Sequence, residues 1–300
     1  MFEGDLVGDT VVLVGGGSGP PRALFFTLAG DFLHSWPQYS EDRGLLTPLG
    51  AVNGGWLGEL RRVASPMDWA QGQVLTDSMR VVDFALADGR VQAELFSRPG
   101  RRFIAGGPGE FSVGPLFDPF PRLVQLTDST LLYSSGLDYE LDVLAATGRV
   151  IRRIRRQIDA TPVTETLVDE YGRAVEQHYD SRPSHPGQDE EMVRMTDGRA
   201  PLVSTVPIVG QVLGGVDGSF WVERWDLEGD PVARELQMAF GIEEDPQEEV
   251  WEVFDSTGRA LAEVRLPIRF EPHVVALGYV VGVWRDDLDV EYVVRFGVEP

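Results

Sequence analysis

Four stretches of the chain share one layout of apolar and polar positions. In EVWEVFDSTGRALAEVRL (249–266) an apolar run at Val250, Trp251, Val253 and Phe254 breaks at a polar turn ending in Gly258, then resumes at Leu261, Val264 and Leu266. β-Branched and aromatic residues suit a pleated, half-buried surface, and Gly258 supplies the positive φ that a tight hairpin turn requires. The same frame fits RVVDFALADGRVQAELFS (80–97), YELDVLAATGRVIRRIRR (139–156) and, more loosely, PRALFFTLAGDFLHSWPQ (21–38). Gly30, Gly89 and Gly148 stand 59 residues apart, and 110 residues separate Gly148 from Gly258. Self-similarity at such a period, with several strands in each period, predicts a β-propeller whose small sheets cover one another. Phe32-Leu33, Val150-Ile151 and Ala260-Leu261 put two apolar residues together after the turn, as expected of strands covered on both faces.

Taken in order, the chain divides into about five such units. The first spans 9–38, with TVVLV and RALFFTL joined by GGGSGPP; the second spans 48–97, with a polar, irregular loop at 65–78. The third spans 121–157, entered through the Gly/Pro-rich connector 106–121. The fourth resumes near Pro201, turns at Asp217-Gly218 and closes with the 249–266 hairpin after an acidic connection at 230–248. The fifth is FEPHVVALGYVVGVWRDDLDVEYVVRF. Residues 161–197 break the β pattern: Thr164 is a good N-cap, and Leu167, Val168, Tyr171, Ala174, Val175 and Tyr179 share one helical face. The expectation is one all-β domain over 1–300, a propeller of four-stranded antiparallel blades. A helical insertion at 161–197 carries helices near 164–180 and 189–196 and docks by its apolar face.

Composition then narrows the chemistry. Of 300 residues, 43% are hydrophobic and 25% charged, enough apolar matter for a sizeable core. A formal net charge of −22 repels nucleic acid and anionic membrane surfaces. No cysteine occurs, which excludes disulfides, thiol catalysis and zinc–thiolate sites. All 26 basic residues are arginine, so Schiff-base lysine chemistry and a P-loop lysine are excluded too. The amino terminus lacks the basic and apolar regions of a signal peptide, and no stretch is apolar for the roughly 18 residues of a membrane span. Arg149, Arg152, Arg153, Arg155 and Arg156 concentrate on one strand with little aromatic interleaving, so they are expected to pair with carboxylates rather than nucleic acid.

Few motifs point to a reaction. The GGGSGPP loop precedes a strand, so it lacks the helix N-terminus of a phosphate cradle. His34, His178, His185 and His273 form no metal-ligand spacing, and His178 and His185 read as solvated residues flanking a Pro-rich loop. No G-x-S-x-G elbow appears. Asp9, Asn53, Asp128 and Asp217 each sit at a turn beside an inner strand, where oxygens around a propeller channel would hold calcium or another divalent cation. Turns favour Asp and Asn for backbone reasons as well, which is the simpler reading of the four. The group Arg285, Asp286, Asp287, Asp289 and Glu291 is the densest charge cluster near a strand, and Arg285 is placed to bridge a carboxylate and pin its hairpin. Arg224, Arg285, Asp287 and Asp289 are the ligand-binding candidates, and no residue is assigned a catalytic role.

The closing run GYVVGVWRDDLDVEYVVRF, the D-x-x-G-R hairpins and the VTETLVDEY insertion resemble six-bladed, NHL-like β-propeller proteins of Gemmatimonadota-type, high-GC bacteria. The resemblance covers nearly the whole chain and rests on architectural motifs. It implies a binding module, generally exported, without a resident cofactor, that takes a protein, peptide or small ligand. The alternative it leaves is a metal-dependent, lactonase-like hydrolase or lyase using channel carboxylates. With about five units and no signal peptide, the chain reads as a member lacking its first blade. Open edges near Val11–Val14 and Tyr292–Phe296, available for self-association, are then expected.

Overall fold

The structure, a computed structural model, describes the chain apart from residues 1, 8–9, 16–21, 28, 41–43, 53–54, 62–69, 107–112, 181–198, 226–229, 241–247, 289 and 299–300. The described residues form five antiparallel sheets, each built from strands consecutive in sequence. Blade one holds β1 (Phe2–Val7), β2 (Thr10–Gly15), β3 (Arg22–Thr27) and β4 (Phe32–Pro37). Blade two holds a short β5 (Tyr39–Ser40), β6 (Gly44–Val52), β7 (Gly55–Arg61), β8 (Val74–Phe84) and β9 (Val91–Ile104). Blade three holds β10 (Arg122–Thr127), β11 (Thr130–Ser134), β12 (Glu140–Ala145) and β13 (Val150–Arg155). Blade four holds β14 (Val209–Gly214), β15 (Phe220–Arg224), β16 (Glu249–Phe254) and β17 (Ala260–Leu266), and blade five β18 (Phe270–Ala276), β19 (Tyr279–Arg285) and β20 (Glu291–Gly297). Inner strands lie side by side, β6 with β10, β10 with β14 and β14 with β18. This is the radial stacking of a β-propeller.

Each junction between blades has its own apolar core. Ala23, Phe25 and Trp36 of blade one meet Leu46, Leu60, Val82 and Phe84 of blade two. Leu57, Met79 and Val81 then meet Leu123, Leu131 and Leu144; Leu132 and Leu141 meet Val212, Phe220 and Val222; Trp221 and Trp251 meet Phe270, Val275 and Val280. Leu131 and its neighbour Leu132 thus serve opposite junctions, as do Phe220 and Trp221. A strand covered on both faces has no polar side to alternate with, so the period-2 signal disappears in the middle of each blade.

The four turn glycines lie between the last two strands of blades one to four, at φ of 87°, 67°, 80° and 77° for Gly30, Gly89, Gly148 and Gly258. Two of them have a second reason to be glycine. A Cβ on Gly148 would stand 2.3 Å from Phe96 of blade two, and one on Gly258 would stand 2.6 Å from Ile154 of blade three. In these two cases the outer strand carries the next blade's turn, and arginine fastens the contact. Arg98 donates to the Gly148 carbonyl at 2.8 Å, and Arg152 donates to the Thr257 carbonyl.

Several expectations need correction. Phe32, Leu33, Val150, Ile151 and Leu261 are exposed, because the strand after each turn is the outermost and its apolar pairs face the rim. Blade one begins at Phe2, ahead of the expected boundary, so Val11–Val14 lies in β2, hydrogen-bonded to β1 on one side and β3 on the other. That stretch is internal. Tyr292–Phe296 does lie in an edge strand, with β20 paired to β19 alone among the described residues. Residues 74–78, expected in a loop, extend β8 beyond the body of blade two.

The insertion helix forms as α1 (Glu165–Asp180), with the Leu167 amide donating to Thr164 Oγ1 at 3.2 Å. Its expected companion near 189–196, like His185, lies outside the described residues. His178 is buried on α1 and is not a solvated loop histidine, because the helix runs two residues past it. A second helix, α2 (Pro231–Phe240), replaces the acidic connection expected there. Asp230 caps it, its Oδ1 accepting from the Val232 amide at 2.8 Å, and Pro231 takes the first helical position, where a missing N–H costs nothing.

Candidate functional site

All inner strands run the same way, so the links from one blade to the next and from second to third strands open on one face. That face carries α1, which follows β13, and α2, which follows β15; the two helices touch. Leu116 and Phe117, from the link between β9 and β10, complete a core with Tyr171, Val175, Val232 and Leu236. The apolar stripe of α1 is thus the docking surface its spacing predicts, and Tyr171 and Val175 are its buried anchors.

Polar groups beneath the helices are closely matched. Arg199 donates to the Gly114 carbonyl at 2.8 Å, to Tyr171 Oη at 2.7 Å and to the Glu235 carboxylate. The other oxygen of Glu235 accepts from the Phe117 amide at 3.2 Å, where Phe117 holds a φ of 53°. Burial pushes the Glu235 carboxyl up, and Arg199 opposes that push. At the junction of blades three and four, Glu252 is 5% exposed and accepts from Tyr139, Arg156 and Arg224. Burial, then the Glu252 charge, raises the Tyr139 phenol far above its ordinary value. Both clusters satisfy their charges internally, which suits them to holding the fold.

The ligand candidates divide. Arg224 is 5% exposed, spends its charge on Glu252 at 3.3 Å and stacks over the Tyr139 ring at 5.2 Å. Arg285 bridges Glu291 at 3.1 Å across the β19–β20 register, pinning that hairpin as expected, and lies 3.7 Å from Glu271. Asp287 is exposed and pairs with Arg269 at 3.2 Å, while Asp289 lies outside the described residues. Asp286, at the same turn, accepts the Leu288 and Val290 amides. Arg224 is thus held in the blade-four interior, apart from the exposed hairpin of the other candidates.

Of the cation candidates, Asp9 and Asn53 lie outside the described residues. Asp217 accepts from the Ser219 amide at 3.0 Å, from Ser219 Oγ and, across the blade junction, from the Leu277 amide at 2.9 Å. Its carboxyl is held below the usual range, those hydrogen bonds outweighing burial. Asp128 is exposed in the β10–β11 turn. Among the described residues no three His, Asp or Glu side chains are grouped to hold a metal ion.

Two clusters on the helix-bearing face escaped the sequence reading. Glu249 is pushed up to about 7, by burial first and then by the Glu223 carboxylate, while Trp251 Nε1 donates to it at 2.9 Å. Glu271 adds negative charge there and Arg234 offsets it. Across the face, Arg61 ends β7, Arg101 lies on the β9 extension and Arg122 opens β10. The Arg101 guanidinium sits 4.0 Å from the Phe120 ring centre, and that of Arg122 is 5.7 Å from the same centre. Arg101 is pushed down to about 10, by burial first, then by the charges of Arg61 and Arg122. Glu59, the near carboxylate, is already paired with Arg61, and Asp77 Oδ1 accepts from the Ser78 amide at 2.6 Å. Arg101 Nε is buried without a hydrogen-bond partner among the described residues. The available sequence signal is the doublets Arg61-Arg62 and Arg101-Arg102 and the Pro-Arg at 121–122, basic points in an acidic chain.

Comparison with known proteins gives distant likenesses. No family model and no curated protein matches the chain. Among solved structures, a Bacteroides caccae protein of unknown function is similar at 11% identity and a TM-score of 0.39, over 88% of this chain and 66% of that one. A candidate exported protein of Bacteroides fragilis is similar at 9% identity and a TM-score of 0.40, over 95% of this chain and 65% of that one. A streptogramin B lyase is similar at 9% identity and a TM-score of 0.36, over 94% of this chain and 74% of that one. The chain spans just under two thirds of the length of the two Bacteroides proteins.

Proposed function

We propose that this protein is a non-catalytic β-propeller that binds a ligand on its helix-bearing face. The observation that carries the reading is Arg101, kept among like charges with no carboxylate of its own among the described residues. Perturbed charged groups mark binding sites more often than arbitrary surface does. The buried carboxylates Glu235 and Glu252 support the non-catalytic half, since each already accepts hydrogen bonds from its neighbours. A thermal-shift screen of small molecules and peptides tests it. Ligands that raise the melting temperature and are recovered intact by mass spectrometry support the reading. Cation-dependent turnover of a lactone or ester by the purified protein overturns it.

A further inference from the structure

We infer that β20 is a self-recognition edge: two copies of this chain pair β20 with β20, antiparallel, about a two-fold axis at Val293. The inference stands apart from the ligand face, since β20 is the outermost described strand of blade five. Among the described residues β20 is hydrogen-bonded to β19 alone, so its other side offers a row of backbone donors and acceptors. Period-two alternation sends Val294 and Phe296 toward the core between blades four and five, and Glu291, Val293 and Arg295 to the opposite face. Val293 is 82% exposed there, an apolar side chain left in water.

The order of charges on that face selects the occupant. Antiparallel pairing about Val293 sets Glu291 of each copy against Arg295 of the other and covers Val293 with its counterpart. On the other face the same register places Tyr292 beside Val294. Glu291 bridges Arg285 at 3.1 Å within its own blade, and the Arg295 guanidinium lies 4.4 Å from the Tyr279 ring centre, so both charges are positioned before a second copy arrives. A carboxylate has lone pairs for more than one donor, which leaves Glu291 able to accept from Arg295 as well. Three other outer strands read differently. β13 carries Arg152, Arg153 and Arg155, so two copies would bring like charges together, and β4 ends in Pro37, which donates no hydrogen bond. On β17 Glu263 lies 4.0 Å from Arg265 of its own strand, and Val264 between them already packs against the core.

The paired stretch is short, so the dimer is a weak one that forms as concentration rises. Sedimentation velocity of the purified chain over about a hundredfold range of concentration tests the inference. The salt is set at about 0.15 M, where repulsion between two chains of charge −22 is screened beyond about 8 Å. A monomer–dimer equilibrium is expected. Val293→Lys puts two cations at the axis and should weaken it about tenfold or more, with circular dichroism and melting temperature unchanged because the side chain is exposed. Glu291→Arg and Arg295→Glu each set like charges opposite one another and should be monomeric alone. Mixed, the first chain's two arginines face the second chain's two glutamates, and a one-to-one dimer should return. A parent that stays monomeric throughout overturns the inference. So does a dimer that survives Val293→Lys, which places the interface elsewhere, or a mixture that stays monomeric while both variants remain folded. Protection of the β20 amides from hydrogen exchange only on adding an unrelated extended peptide assigns the edge to another protein and overturns self-pairing.

Discussion

The two blade junctions on either side of blade three bury charge in opposite ways. Between blades three and four, Glu252 collects Tyr139, Arg156 and Arg224, so a negative centre is ringed by positive and neutral donors. Between blades two and three, Arg101 lies over the Phe120 ring and feels the charges of Arg61 and Arg122, with Glu59 already engaged by Arg61. Burial alone does not separate the two, since Glu252 and Arg101 are both largely withdrawn from water. Compensation does. A buried charge satisfied by its neighbours belongs to the fold, whereas one left among like charges is poised for a partner from outside.

The contrast can be broken first at its structural side. Glu252→Ala removes the buried carboxylate that Tyr139, Arg156 and Arg224 share and should cost about 3–5 kcal/mol in denaturant unfolding. A loss below about 1 kcal/mol would show that the cluster is not compensated as described. Next in size is Tyr171→Asp, which removes a fully buried ring from beneath α1 and puts a carboxylate in its place. It should cost about 3 kcal/mol and expose the 160–198 segment to limited proteolysis. Unchanged cleavage would argue against docking of the helix.

A smaller effect comes from the acidic counterpart of the arginine group. Glu249 titrates near 7 in the fold and near 4.5 when unfolded, so its burial is best tolerated while it is protonated. Stability from this group is therefore highest below about pH 4.5 and falls as pH rises through 7. Asp217, Asp255 and Asp286 are shifted the opposite way and lose stability in acid, so the comparison belongs above pH 5. Glu249→Gln keeps an oxygen for Trp251, should flatten the fall between pH 5 and 8, and should melt about 2 °C higher at pH 8. An unchanged slope would remove Glu249 as its source. Smallest of all is Arg101→Gln, expected to shift stability by less than about 0.5 kcal/mol without ligand, since it also relieves repulsion. A large loss would place Arg101 with the structural charges.

The sequence by itself determined what depends on neighbours along the chain. The glycine turns of the four hairpins and the Thr164 cap act within a few residues, and the corresponding hairpins and α1 form where the pattern puts them. The cap Asp230-Pro231 was equally local, with Val232 and Leu236 in helical spacing behind it, but the acidic run that follows obscured it. The alternating carboxylates Glu140 and Asp142 were likewise readable as partners for the arginines of β13, because adjacent strands set that register. Only the tertiary structure decided which apolar pairs face the rim, since position in the blade rather than local pattern determines what covers a strand. It also decided the charge pairings, for Glu252 lies 96 residues from Arg156 and 28 from Arg224. Arg101 and Arg122 share the Phe120 ring for the same reason. Stacking whole blades brings their strand ends onto one face, and electrostatic contact then depends on distance in space, which the order of residues does not contain.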